Sequence, residues 1–143
     1  MKITQISVFL ENRKGRLYEV CSLLGGNRIN IRALTIAETE SFGVLRIVVD
    51  RPDEAIELLR RHNITANITQ VVVVEVKDQP GGLAEVLRIL ATNDLNVEYM
   101  YGFVEKAGDN ALMVFRLEDP DRATKVLAAN GVRVVTANEI TGL

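Results

Sequence analysis

The chain has 143 residues, 48% hydrophobic and 25% charged, a composition typical of globular rather than disordered proteins. Its net charge is −2 and no basic cluster is longer than Arg60-Arg61, so the positive patch of a nucleic-acid-binding protein is lacking. No apolar run approaches the roughly 20 residues of a membrane span. The first residues do not resemble a signal peptide and there is one cysteine, so we expect a cytoplasmic protein whose partners include neither nucleic acid nor membrane.

The first half of the chain predicts the order strand, helix, strand, strand, helix, strand. Residues 3–10 alternate between two faces, which is the period of a strand. The apolar residues that follow recur at i, i+3, i+4 and i+7, which predicts a helix with one buried face. Pro52, followed by two acidic residues, is typical of the first turn of a second helix. The predicted elements are strand 3–10, helix 17–24, strand 29–37, strand 43–49, helix 52–63 and strand 64–70.

The same order then starts again. The predicted elements of the second half are strand 71–76, helix 83–90, strand 95–104, strand 111–117, helix 120–130 and strand 132–140. The halves align with an offset of 66 residues at first, which pairs Gly15 with Gly81, and of 68 residues later, which pairs Pro52 with Pro120.

This repeat predicts the α+β class, with two ferredoxin-like βαββαβ units in tandem. We place the first domain at 1–70 and the second at 71–143. Residues 68–76 contain neither glycine nor proline. We therefore expect two antiparallel sheets side by side, with the helices on one face.

One short stretch occurs at the start of the first helix in both halves, at residues 10–17 and 76–83. Each copy predicts a tight turn in which Gly15 or Gly81 has a positive φ or lets another group approach the backbone. The first N–H groups of a helix lack partners within it, and the helix dipole favours an anion there, such as the carboxylate of a small molecule. These glycines therefore have either a purely structural role or a role in ligand binding.

The two stretches resemble the ACT domain. They read Glu11-Asn12-Arg13-Lys14-Gly15-Arg16-Leu17 and Lys77-Asp78-Gln79-Pro80-Gly81-Gly82-Leu83, and the second has the D/N-x-P-G-x-L form of that family's motif. The first differs by Lys14 where proline is common. Phe42-Gly43-Val44-Leu45-Arg46 and Glu98-Tyr99-Met100-Tyr101 also resemble segments of small bacterial tandem-ACT proteins. The resemblance implies regulatory binding of an amino acid where two ACT units meet, against the loop between the first strand and the first helix.

Several candidate residues have two interpretations. The aligned Asn12 and Asp78 either cap the turn or bind the ligand. Tyr99 and Tyr101 share a strand face and either pack in the sheet or at a dimer contact, or line a pocket. Arg13 adds positive charge to the first turn, which we expect to suit a carboxylate better than the second. The ligand-binding candidates are Leu10, Glu11, Asn12, Lys14, Gly15, Arg16 and Leu17, then Lys77, Asp78, Pro80, Gly81, Gly82 and Leu83, and finally Tyr99 and Tyr101.

No catalytic or metal-binding constellation is readable, since one histidine and one cysteine stand apart from any nucleophile–base pair or ligand cluster. We predict a non-enzymatic sensor that uses no cofactor, binds a free amino acid and acts by allosteric regulation. The alternative is a ligand-free interaction protein or a regulatory subunit of an amino-acid metabolic enzyme. Exposed sheet edges predict a homodimer. An amino-acid metabolic enzyme or transporter is a further candidate partner.

Overall fold

The computed structural model describes residues 3–11, 13–38 and 42–141, with the backbone alone for residue 141. The chain forms two compact units, one mainly of residues 4–69 and the other mainly of residues 70–140. No helix of the described residues is long and apolar enough to cross a membrane. The elements are β1 (Ile3–Glu11), α1 (Arg16–Gly26), β2 (Ile31–Glu38), β3 (Phe42–Val49), α2 (Pro52–Arg61), β4 (Ala66–Lys77), α3 (Gly82–Thr92), β5 (Val97–Gly102), β6 (Asn110–Leu117), α4 (Pro120–Ala129) and α5 (Ala137–Thr141).

Both units have the predicted α+β class and the ferredoxin-like strand order. In the first unit the order is β2-β3-β1-β4, and β3 pairs antiparallel with both β1 and β2. In the second unit β6 pairs antiparallel with β4 and β5. A single bridge between Val74 and Val134 places the segment after α4 beside β4. The tandem repeat inferred from the sequence is therefore confirmed.

Each unit has its own apolar core, to which alternate residues of its strands contribute. In the first unit, Ile6, Val8 and Leu10 of β1 pack with buried residues of α1 and α2. In the second, Val72, Val74 and Val76 of β4 pack with residues of α3 and α4. Because successive side chains of a strand point to opposite faces, the residues between them face away from these helices. Phe9, Glu11, Glu75 and Lys77 are the residues of that second face that matter for the site.

Most boundaries agree with the sequence analysis, with one difference in the middle of the chain and one near the C-terminal end. The helices at Pro52 and Pro120 begin where predicted. The strands predicted at 64–70 and 71–76 form one strand, β4. The strand predicted at 132–140 does not form: Val134 makes a single bridge to Val74, and residues 137–141 form α5 instead. Thr136 caps that helix, since its Oγ1 accepts from the Glu139 N–H at 3.3 Å, and this local bond overrides the alternating pattern.

An arginine closes the C-terminal end of the first helix in both units. Arg51 donates to the Asn27 carbonyl oxygen at 3.0 Å, and Arg122 donates to the Asn93 carbonyl oxygen at 2.6 Å. A cation at this end satisfies an unpaired carbonyl and the negative end of the helix dipole. The two arginines are not repeat-equivalent, because Arg51 aligns with Asp119. Each unit thus has a similar stabilising contact, but the arginine that makes it comes from a different position in the repeat.

Candidate functional site

The two glycine turns have the same backbone geometry. Gly15 has φ 85° and Gly81 has φ 82°, so both lie in the left-handed region that a side chain disfavours. In the first turn, the N–H groups of Arg13, Arg16 and Glu19 donate to the carbonyl oxygens of Glu11, Arg13 and Gly15 at 2.7, 3.1 and 3.0 Å. In the second turn, those of Gln79, Gly82 and Glu85 donate to Lys77, Gln79 and Gly81 at 2.9, 3.0 and 3.0 Å.

Among the described residues, no side chain caps the start of α1 or α3. The backbone N–H groups of the second and third residues of α1 and of α3 therefore have no side-chain acceptor among the described residues. The capping interpretation of Asp78 is wrong, because its carboxylate pairs with the Lys106 ammonium instead. Asn12, which aligns with Asp78, lies outside the described residues.

Glu19 braces the first turn. Its carboxylate accepts from Arg16 Nη1 at 3.0 Å and from Arg13 Nη2 at 3.3 Å. The Arg16 hydrogen bond, supported by the Arg13 charge, lowers the pKa of the Glu19 carboxyl. The aligned Glu85 instead pairs with Arg88 on its own helix at 2.6 Å. The basic group of the first turn is thus held by a residue that sequence reasoning did not single out.

A pocket opens beside each turn, and the two pockets occupy the same place in the repeat. The first pocket, of about 370 Å³, is lined by Phe9, Glu11, Arg16, Phe42, Asn63 and Thr65. The second pocket, of about 390 Å³, is lined at the aligned positions by Glu75, Lys77, Gly82, Asn110, Gly131 and Arg133, and also by Pro80 and Gly81. The offsets are 66 residues for the first three positions and 68 for the last three, so each pocket belongs to a single unit.

Strand register explains why these residues meet. Glu11 lies opposite Phe42 in the β1–β3 ladder, and Lys77 lies opposite Asn110 in the β4–β6 ladder. On the other side of β1, the Phe9 N–H donates to the Thr65 carbonyl oxygen at 2.9 Å. Three adjacent chain segments therefore form the wall of the first pocket, and the second pocket is built in the same way.

The charged groups that line the second pocket bond to one another. The Glu75 carboxylate accepts from Asn110 Nδ2 at 3.0 Å and from Arg133 Nη1 at 3.2 Å. Arg133 also pairs with Glu139, which is the main reason that the pKa of its guanidinium is raised. Gly82 is required here, because a Cβ at this position would lie 2.0 Å from the Lys77 carbonyl oxygen.

The first pocket has apolar walls and charged groups with open bonding capacity. Phe9 is 39% exposed and Phe42 is 54% exposed. Among the described residues, the Glu11 carboxylate has no hydrogen-bond or ion-pair partner. The Arg16 Nε atom is buried and has no acceptor in the described part of the chain. The two repeat-equivalent pockets therefore differ in chemistry although they share a backbone frame.

The candidate residues from the sequence divide into those that line one of the two pockets and those that line neither. Leu10 belongs to the apolar core, and Tyr99 and Tyr101 on β5 line neither pocket. The candidates that line one of the two pockets are Glu11, Arg16, Lys77, Pro80, Gly81 and Gly82. The remaining described candidates, which line neither of the two, are Lys14, Gly15, Leu17, Asp78 and Leu83.

Sequence reasoning missed the walls that come from other segments of the chain, such as Phe42 and Thr65 in the first unit and Asn110 and Arg133 in the second. The repeat alignment was the available signal, since these positions pair at the offset of 68 residues. The described residues contain no group of three or more His, Cys, Asp or Glu side chains suited to a metal ion.

Comparison with known proteins identifies the family. The family model of an ACT domain pair matches residues 1–143. Protein BT0572 from Bacteroides thetaiotaomicron is similar in structure, with 38% sequence identity and a TM-score of 0.93 over 100% of this chain and 98% of that one. The ligand-free regulatory subunit of aspartate kinase from Thermus thermophilus shares the fold, with 18% identity and a TM-score of 0.63 over 88% and 91% of the two chains. No curated protein matches the chain. Because the family match spans the whole sequence and both units have the glycine turn, the chain belongs to the ACT domain pair family.

Proposed function

We propose that the chain is a regulatory protein that binds a free amino acid beside its glycine turns and has no catalytic activity of its own. The observation that carries this proposal is the pair of repeat-equivalent pockets, each of a volume suited to a small ligand. Each lies beside a helix start that no described side chain caps. Amides of this kind are suited to the carboxylate of an amino acid.

We propose that regulation passes to an amino-acid metabolic enzyme. The resemblance to the ACT family implies a regulatory role, and the fold is shared with a protein described as a regulatory subunit of aspartate kinase. The chain would report the level of an amino acid by changing its contact with that enzyme. A transporter is a second candidate target.

The second candidate function is interaction without a ligand. It is favoured by Leu34 and Ile36, which are 43% and 45% exposed on the same face of β2. Among the described strands, β2 pairs with β3 alone, so one of its edges is open. We propose that a second copy of the chain covers this edge and that the protein is a homodimer.

Thermal unfolding with each of the twenty amino acids tests the sensor function. A ligand at 100 times its Kd adds about 2.7 kcal/mol to the free energy of unfolding. For a chain of this size that is a rise of roughly 5–10 °C in Tm. We expect at least one amino acid to produce it, and a panel with no stabilising member would favour the interaction function.

Substitution of Gly15 or Gly81 by valine tests which turn binds the ligand. A β-branched residue resists a positive φ, so each substitution should distort one turn and remove the ligand-induced rise in Tm at that copy. The rise is compared with each variant's own ligand-free Tm, because the substitution also destabilises the fold. Gly26→Ala, on open surface at the other end of α1, is the control that should keep the rise. An unchanged rise in both valine variants would place the ligand elsewhere.

A further inference from the structure

The repeat offers an internal comparison between two pockets that share a frame but differ in lining. Four aligned positions show the difference: Phe9 against Glu75, Glu11 against Lys77, Phe42 against Asn110, and Thr65 against Arg133. Two phenylalanines of the first pocket are thus replaced by polar residues in the second. The acidic residue at the end of β1 is replaced by a basic residue at the end of β4. Identical frames with reversed chemistry indicate different ligand preferences.

We infer that the first pocket selects an amino acid with an apolar side chain and that the second pocket does not bind this class. The inference rests on the proposed function and adds the ligand class and the unit that holds it. It is carried by four residues that line the first pocket: Glu11, Arg16, Phe9 and Phe42.

The charged groups of the first pocket match the two ends of a zwitterion. Glu11 supplies a carboxylate that no described group engages, and this suits an ammonium. Arg16 supplies a buried Nε–H that lacks an acceptor in the described residues, and this suits a carboxylate. Glu19 holds the guanidinium through Nη1 at 3.0 Å, so the orientation of that N–H is fixed before a ligand arrives.

The walls of the first pocket specify the side chain of the ligand. Phe9 and Phe42 lie on adjacent strands, and both line the pocket and are partly exposed. A ligand side chain that covers these rings gains free energy in proportion to the apolar area removed from water. A polar side chain of the same shape loses its hydrogen bonds to water there and gains no new partner.

The second pocket lacks both features. Its described lining residues include no aromatic side chain. The Glu75 carboxylate, which replaces Phe9, already accepts hydrogen bonds at both oxygens, from Asn110 and Arg133. An amino acid with an apolar side chain would therefore find neither an aromatic wall nor an open carboxylate in this pocket, whose apolar lining includes Pro80, Val86 and Val132.

Calorimetric titration of the full chain with pairs of amino acids of similar shape tests the inference. The pairs are leucine with asparagine and valine with threonine, all as L-amino acids. We expect leucine and valine to bind at one site per chain, at least about tenfold more tightly than their polar partners. Phe42→Asn installs the residue of the second pocket and should weaken leucine binding about tenfold, whereas Phe42→Leu should keep it within about threefold.

Glu11→Gln removes the proposed partner of the ammonium and should weaken leucine binding about tenfold or more. Val104→Asn replaces an apolar residue by asparagine and Glu105→Gln removes a carboxylate, both at exposed sites outside the two pockets, and both should leave the affinity unchanged. Circular dichroism establishes that each variant is folded before titration.

The outcomes separate the two proposals. If no amino acid binds at all, both the sensor function and this inference are wrong. If asparagine or threonine binds as tightly as its apolar partner, or if Phe42→Asn leaves leucine affinity unchanged, the inference is wrong and the sensor function stands. Two leucines bound per chain would likewise overturn the inference alone.

Discussion

At the scale of single residues, Glu19 decides how the first turn presents its charge. Its carboxylate holds Arg13 and Arg16 together, and Arg16 Nε has no acceptor among the described residues. Folding lowers the pKa of Glu19, chiefly through the Arg16 hydrogen bond. A carboxyl of this kind stabilises the fold above its unfolded pKa, and the contribution is lost as the pH falls through its folded value.

Glu19→Gln should therefore have a pH-dependent effect. At pH 7 the variant lacks the two charge-assisted contacts and should unfold at a lower temperature than the wild type. As the pH falls below the ordinary range of a glutamate, the wild-type carboxyl becomes protonated and loses the same contacts, so the two Tm values should converge. Scanning calorimetry from pH 7 down to the lowest pH at which the wild type is still folded measures this, with Glu105→Gln as the control. A difference in Tm that is the same at every pH would contradict the bracing role.

At the scale of elements, the turn before α3 is closed more tightly than the turn before α1. Gly82 packs so closely that a Cβ would lie 2.0 Å from the Lys77 carbonyl oxygen, whereas the first unit has Arg16 at that position. We expect Gly82→Ala to lower the free energy of unfolding by at least about 2 kcal/mol, since the strand end and helix start must separate.

Gly25→Ala is the matched control, because a Cβ there meets open space within α1. It should stabilise the chain by about 0.5–1 kcal/mol, the usual gain of alanine over glycine in a helix. Urea unfolding of both variants measures the two values. Equal effects of the two substitutions would show that the close contact at Gly82 relaxes without cost.

The elements also show what the sequence can and cannot specify. The apolar periods and the two helix-starting prolines, Pro52 and Pro120, predict almost every helix and strand because each is a local signal. The pocket walls were not predicted, because Phe42 reaches Glu11 through strand register, which depends on the turn between strands as well as on alternation. The helix α5 was missed because the Thr136–Glu139 cap interrupts an alternating run.

At the scale of the whole molecule, the proposed homodimer makes a direct prediction. Ile36→Lys places a charge on the open edge of β2, where burial of an unpaired ammonium against a second copy is costly. We expect the wild type to be a dimer at micromolar concentration and this variant to be a monomer, as measured by light scattering. Val104→Lys, on exposed surface away from that strand, should remain dimeric. A monomeric wild type would remove the proposal.

The two halves of the molecule have kept one frame and changed their pockets. The glycine turns and core positions align along the repeat, whereas the residues at the strand ends have diverged in charge and polarity. A duplicated gene with this arrangement can acquire a new nutrient signal through a few codons at the ends of strands. Neither hydrophobic core has to be rebuilt, so one copy is free to change while the other preserves the older response.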